Sequence, residues 1–122
     1  MFYVETIHRQ PDESAVVGQT FTLPCRTSRG KSAIWWYQDN PLAFIKDIFN
    51  VRGNVMNGFK RSGRFTLRRD FEGDYSLVIE NISLSDAGLY TCVIDDGYGD
   101  YFITRVNVSG MNTLVSKVQL AA

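Results

Sequence analysis

The chain has no apolar run approaching the roughly 18 residues needed to cross a bilayer as a helix. It has no excess of charge of either sign, a single histidine and only two cysteines. Each shortage removes a class of function. Thirteen Lys and Arg against thirteen Asp and Glu leave a formal net charge of zero, so general nucleic-acid binding, which draws on a basic excess to release counterions, is not supported. His8 is the only imidazole and no Cys-x-x-Cys spacing occurs, so a zinc cluster cannot be assembled. There is also no nucleophile elbow and no phosphate-cradling glycine loop. No acid–base or nucleophilic constellation forms, and the chain is expected to be no enzyme and to need no cofactor or metal.

Helical periodicity is missing as well. Gly, Pro or β-branched residues interrupt every dozen-residue window, so at most one short helical turn is expected. What is present is an all-β rhythm: aromatic and β-branched residues alternate with polar ones in short runs, punctuated by Gly, Asn, Asp and Pro. At 122 residues the length suits one domain. The run 19–25 alternates strictly, turning Phe21, Leu23 and Cys25 to one side. The run 75–82 turns Leu77 and Ile79 inward and brings Ile82 to the following bend. The run 89–94 puts Tyr90, Cys92 and Ile94 inside with Thr91 and Val93 outside. Two inward cysteines on different strands, 67 positions apart, read as one disulfide bridging two sheets, which places the domain outside the cell.

In the run 34–38 one of two adjacent tryptophans must face in and the other out, and a period of two that starts from Ile34 sends Trp36 to the core and Trp35 and Tyr37 to the surface. The stretches 43–49, 54–59 and 63–68 read as three further strands, and 101–108 as the last, after the turn-rich 95–100.

In order and in strand phase, Cys25, Trp36-Tyr37, Arg64-Phe65-Thr66-Leu67 and Asp86-Ala87-Gly88-Leu89-Tyr90-Thr91-Cys92 resemble the immunoglobulin V-set, a two-sheet Greek-key sandwich of about nine strands. The resemblance runs from about residue 4 to 108. It implies that Trp36 packs on the Cys25–Cys92 disulfide, that Tyr90 forms a tyrosine corner, and that Arg64 pairs with Asp86 at the lower end of the sandwich. One departure narrows the branch. Rearranging antigen receptors carry a glycine bulge in the last strand, whereas Asp100, Tyr101 and Ile103 stand at those positions here. The closer comparison is with germline adhesion, costimulatory or innate-type receptors.

In a V-set the strands lettered C, C′, F and G share one sheet. The phases above send Trp35, Tyr37 and Asp39 outward from C, Thr91, Val93 and Asp95 from F, and Tyr101, Ile103 and Arg105 from G, with Tyr98 at the rim. From C′, either Phe44, Lys46 and Ile48 or Ala43, Ile45, Asp47 and Phe49 join them. Such apolar and aromatic crowding on an outer face is anomalous for a soluble sandwich. Its residue types are those enriched at interface hot spots. The expected function is an extracellular recognition or adhesion module that binds another V-set domain, or a copy of itself, through this face.

The alternative is a soluble innate ligand-capture domain that takes glycans or lipid head groups on its loops or on the basic stretch Lys60, Arg61, Arg68 and Arg69. A calcium site from Asp95, Asp96 and Asp100 is set aside, because Asp and Gly are ordinary turn residues and no extra cysteines shape the loop. The sequons at Asn81 and Asn107 permit N-glycosylation. The domain proper is expected to span 1–109. Residues 110–122 are expected to be a linker toward a following domain, appended residues at the chain end, or a strand that pairs with this or a neighbouring molecule. Met1 is not followed by a signal-peptide progression, so any leader or anchor is expected to lie outside the chain.

Overall fold

The computed structural model describes residues 6–28, 30–49, 54–60, 63–94 and 99–110. Among them are nine strands: β1 (Ile7–Arg9), β2 (Glu13–Val16), β3 (Phe21–Leu23), β4 (Ala33–Gln38), β5 (Lys46–Asp47), β6 (Phe65–Arg68), β7 (Ser76–Ile79), β8 (Gly88–Ile94) and β9 (Tyr101–Ser109). The larger sheet has the order β1-β9-β8-β4-β5, with β2 also running along β9, and the smaller has the order β3-β7-β6. Strands β4, β5, β8 and β9 correspond to C, C′, F and G. The proposed tail 111–122 lies outside the described residues.

Alternation builds the core between the sheets. Leu23, Leu77 and Ile79 from the small sheet meet Tyr90, Cys92 and Val106 from the large one, all buried. Cys25, just past β3, is bonded to Cys92 in β8, with Cα atoms 6.4 Å apart. Ile82, at the bend after β7, is buried as well.

The phase of β4 corrects the expectation for the tryptophans. Trp35 lies opposite Cys92 and Tyr37 opposite Tyr90, whereas Trp36 lies opposite Thr91. Directly opposed residues share a face of the sheet, so Trp35 and Tyr37 point inward, 2% and 5% exposed, and Trp36 points out. Trp35 is therefore the ring beside the disulfide. Its indole Nε1–H donates to the Tyr75 carbonyl at 2.6 Å, which satisfies the one polar atom that burial would otherwise strand. The Tyr37 hydroxyl has two acceptors for its one proton, the Ala87 carbonyl (2.7 Å) and Asp39 Oδ1 (2.8 Å). Burial, reinforced by the Asp39 carboxylate, pushes that phenol well above its usual range.

Two other expectations change. The stretch 43–49 contributes only Lys46–Asp47 and an isolated bridge from Phe49 to Val55. The stretch 54–59 gives no strand; the helical turn α1 (Asn57–Lys60) begins there instead. It brings the Phe59 ring edge-on to Tyr37 and Phe65, with centroids 5.9 and 5.0 Å away. With the 3-10 turn Leu84–Asp86, the described residues hold two short helical turns rather than one.

The lower end is closed by a charged cluster. Arg64 grips Asp86 with two hydrogen bonds, Nη1 to Oδ2 at 2.6 Å and Nη2 to Oδ1 at 3.0 Å. The Ser83 N–H also donates to Asp86 Oδ2, at 2.7 Å, and the Tyr90 hydroxyl donates to the Asp86 backbone carbonyl. Burial alone would raise the Asp86 pKa, but the Arg64 and Ser83 bonds outweigh it and hold the carboxyl below its usual value. The buried Asp74 is held below its usual value in the same way, with burial outweighed by bonds from Ser76, the Asp70 N–H and Arg68.

Candidate functional site: the outer face of the large sheet

Because β4 sends Trp36 outward, the face centres on different residues from those the period count selected. Trp36 packs against Tyr101 of β9, ring centroids 5.6 Å apart. Together with Gln38, Thr91, Ile103, Ile45 and Ile7 they line an open cleft of about 300 Å³. Asp47 lies opposite Trp36, so β5 takes the register that turns Ile45 and Asp47 outward. Ile48 follows that register inward, opposite Trp35, but Phe49, which the register would turn outward, is buried in the core as well. The Ile48 N–H still bonds to β4, donating to the Trp35 carbonyl at 2.9 Å, while the Ile48 carbonyl accepts from Met56 at 2.8 Å.

The turn leading into β5 is pinned while its side chains project. The Leu42 N–H donates to Asn40 Oδ1 (2.9 Å) and the Ala43 N–H to the Asn40 carbonyl (3.0 Å). The Gln38 side-chain amide donates to the Ala43 carbonyl at 3.0 Å. On this fixed turn Leu42 and Phe44 are 97% and 93% exposed. Leu42 and Phe44 are bulky apolar groups held in water on the turn that leads to Ile45, itself a wall of the cleft, and exposed apolar groups of this size are of the kind that marks an interaction site.

The structure sorts the partner-contact residues inferred from sequence. Tyr101, Ile103 and Arg105 lie on the outer face of β9, with Arg105 exposed. Val93 has the outward phase but is 0% exposed; it sits between Ile34 and Tyr101 on the flanking strands and presents nothing to a partner. Trp35 and Tyr37 are core residues and leave the set. Asp39 is exposed past the end of β4, where it accepts from Tyr37. Asp95 and Tyr98 lie outside the described residues. The residues that the period count missed are Trp36, Gln38, Leu42 and Ile7. One signal for Trp36 was available: an inward Trp36 carries Gln38 inward with it, burying an amide, whereas the opposite phase buries Tyr37, whose hydroxyl reaches backbone.

The two arginines of the basic stretch that are described, Arg68 and Arg69, have internal partners. Arg68 lies 3.3 Å from Asp70 and 3.4 Å from Asp74, and the Arg69 guanidinium sits 4.3 Å over the Tyr75 ring. Arg61 and the Lys60 side chain lie outside the described residues. Both sequon asparagines are exposed: Asn81 in a left-handed turn at φ 48°, and Asn107 on β9, on the outer face below Arg105. No helix among the described residues is long and apolar enough to cross a membrane.

A disulfide-stapled sandwich with this order of strands in its two sheets has the architecture of an immunoglobulin domain. The chain belongs to the immunoglobulin V-set family, whose family model matches residues 9–110. It is similar to the Irregular chiasm C-roughest protein of Drosophila melanogaster, 32% identical over 105 residues, which covers 85% of this chain and 12% of that protein. It is similar to the CXADR-like membrane protein of Xenopus tropicalis, 32% identical over 116 residues, 87% of this chain and 35% of that protein. It is 36% identical over 84 residues to the Hepatitis A virus cellular receptor 1 homolog of Rattus norvegicus, 66% of this chain and 27% of that protein. The chain thus spans well under half the length of these relatives.

Proposed function

We propose that the chain is the extracellular recognition domain of a cell-surface receptor or adhesion protein, and that it binds another V-set domain, a copy of itself included, through the outer face of β9, β8, β4 and β5. The observation that carries this reading is the cleft framed by Trp36, Tyr101, Ile103 and Ile45, with the exposed Leu42 and Phe44 on the turn that leads to Ile45. A sandwich face in contact only with water is ordinarily polar. Aromatic groups beside an arginine are the composition of interface hot spots. The relatives whose names describe a membrane protein and a cellular receptor support a cell-surface setting.

Concentration-dependent sedimentation of the isolated domain, followed by surface-based binding to V-set domains of relatives, tests the reading. Self-association or binding that Trp36→Glu abolishes, with thermal stability unchanged, is the expected result. Binding that survives Trp36→Glu overturns it.

A further inference from the structure

The sequons Asn81-Ile82-Ser83 and Asn107-Val108-Ser109 are distant in sequence and meet at one end of the sandwich. The Gly18 N–H donates to the Ile82 carbonyl (2.8 Å), and that of its neighbour Val17 to the Ser109 carbonyl (2.9 Å). The turn after β2 thus ties both sequons to the lower end, where Arg64 grips Asp86 and also donates to the Asn81 carbonyl at 3.1 Å. The docking cleft lies higher on the large sheet. Ile103, in its wall, precedes Asn107 by four residues, about 13 Å along an extended strand.

Both asparagines are exposed, and among the described residues neither side-chain amide has a hydrogen-bond partner. Asn40, whose side chain does hold a turn, stands outside any sequon. At φ 48° Asn81 takes a left-handed conformation that asparagine adopts more readily than most residues. Only its backbone carbonyl is bound to Arg64, which leaves the side chain to solvent. Asn107 has the outward phase on β9, next to the buried Val106.

The rest of each sequon is built into the fold. Ile82 is fully buried, and Ser83 Oγ lies 2.8 Å from Ser85 Oγ and 3.3 Å from Asp86 Oδ2. The second sequon belongs to β9, with β2 paired alongside it. A transferase that reads asparagine together with the hydroxyl two residues on must therefore act before these strands form. Folding then accommodates a sugar whose asparagine faces water and whose amide the fold does not use.

We infer that Asn81 and Asn107 are both N-glycosylated, on the secretory route that also closes the Cys25–Cys92 bridge, so that glycans cover the lower end of the sandwich. The co-substrate is an oligosaccharide carried on a lipid diphosphate. Asparagine Nδ2 forms a bond to the anomeric carbon, and the bond from that carbon to the diphosphate oxygen breaks. The lipid diphosphate leaves with the electron pair, and the amide nitrogen loses one proton. The Asn107 glycan stands on the outer face and bounds the docking cleft from below. That consequence rests on the docking reading above; the modification does not.

The experiment is site mapping on the whole chain, secreted from animal cells behind a cleavable leader. It needs no partner, so it succeeds or fails independently of the docking reading. Enzymatic release of N-glycans by an amidase in heavy-oxygen water converts each glycosylated asparagine to labelled aspartate, and most copies should be labelled at both Asn81 and Asn107. Ser109→Ala should erase the label at Asn107 and keep that at Asn81, whereas Ser109→Thr should keep both. Trp36→Glu, which tests docking, should carry both labels unchanged. Either asparagine recovered chiefly unmodified overturns the proposal, a result read in the unsubstituted chain even where a variant is not secreted. A label at Asn107 that persists in Ser109→Ala overturns it as well.

Discussion

Trp35 and Trp36 carry the same side chain one strand step apart, and that step sends one ring to the cystine and the other to Tyr101. Truncating them should therefore give opposite phenotypes. Trp35→Ala should cost about 3–5 kcal/mol in urea denaturation, the range for a buried large aromatic, whereas Trp36→Ala should cost far less and act on binding. Asp86 and Gly88 are the residues whose loss the fold tolerates least at its lower end. Removing the Asp86 carboxylate takes the carboxylate partner from Arg64 and an acceptor from the Ser83 N–H, and since that guanidinium is partly exposed and still donates to the Asn81 carbonyl a cost near the bottom of the buried-pair range, about 3 kcal/mol, is expected for Asp86→Ala by the same measurement. A methyl on Gly88 would meet the Gln38 carbonyl oxygen at 2.6 Å and the Tyr37 ring at 2.8 Å. Gly88→Ala should destabilise by about 1–3 kcal/mol through overpacking.

Two buried carboxylates in separate clusters set the acid limit. Asp86 and Asp74 have folded-state pKa values below their usual ones, so the stabilisation they supply is complete above the unfolded carboxylate value of about 3.9. It is lost as pH falls through the lower folded values. Equilibrium unfolding should show stability flat from neutral pH to about pH 5 and declining below about pH 4. Asp86→Asn should flatten part of that decline.

Among the elements, β5 and the turn before it concentrate the functional argument. A two-residue strand is weak by itself, yet Asn40 and Gln38 hold the preceding turn from both sides. The side chains of Leu42 and Phe44 touch water rather than core, so Leu42→Asp and Phe44→Asp should leave the thermal midpoint unchanged within a degree or so, about what a near-neutral surface substitution gives. Partner binding, read by surface resonance or sedimentation, should weaken by at least about tenfold, as for a hot-spot side chain. Unchanged affinity in both variants would place the docking site elsewhere on the face. This region was also the least legible in the sequence. Residues 54–59 alternate well enough to read as a strand, but Phe59 has a better burial site against Tyr37 and Phe65, which a helical turn reaches and an extended chain misses. Tertiary packing overrode local pattern there.

For the molecule as a whole, one covalent link joins the sheets. Replacing Cys25 and Cys92 together by Ala should lower stability by about 2–5 kcal/mol, measured by denaturant unfolding. With Trp35 left facing the vacated space, the cost should fall toward the upper part of that range. The all-β class and the inward sides of β3, β7, β8 and β9 were readable without coordinates because each depends on residue type at a period of two within one short run, and the Cys25–Cys92 bridge and the V-set family because the chain holds only two cysteines and the motifs around them stand in order. The choice between Trp35 and Trp36 was not. Alternation gives relative orientation along a strand and leaves the absolute direction to the partner strands, and only the register with Cys92 and Tyr90 decided it. The burial of Val93 and of Phe49 was decided the same way, by where separate strands come to rest against one another. The outer face survives as the binding candidate with Tyr101, Ile103 and Arg105 in place, and with Trp36 at its centre, since packing one tryptophan against the cystine leaves the other for the surface.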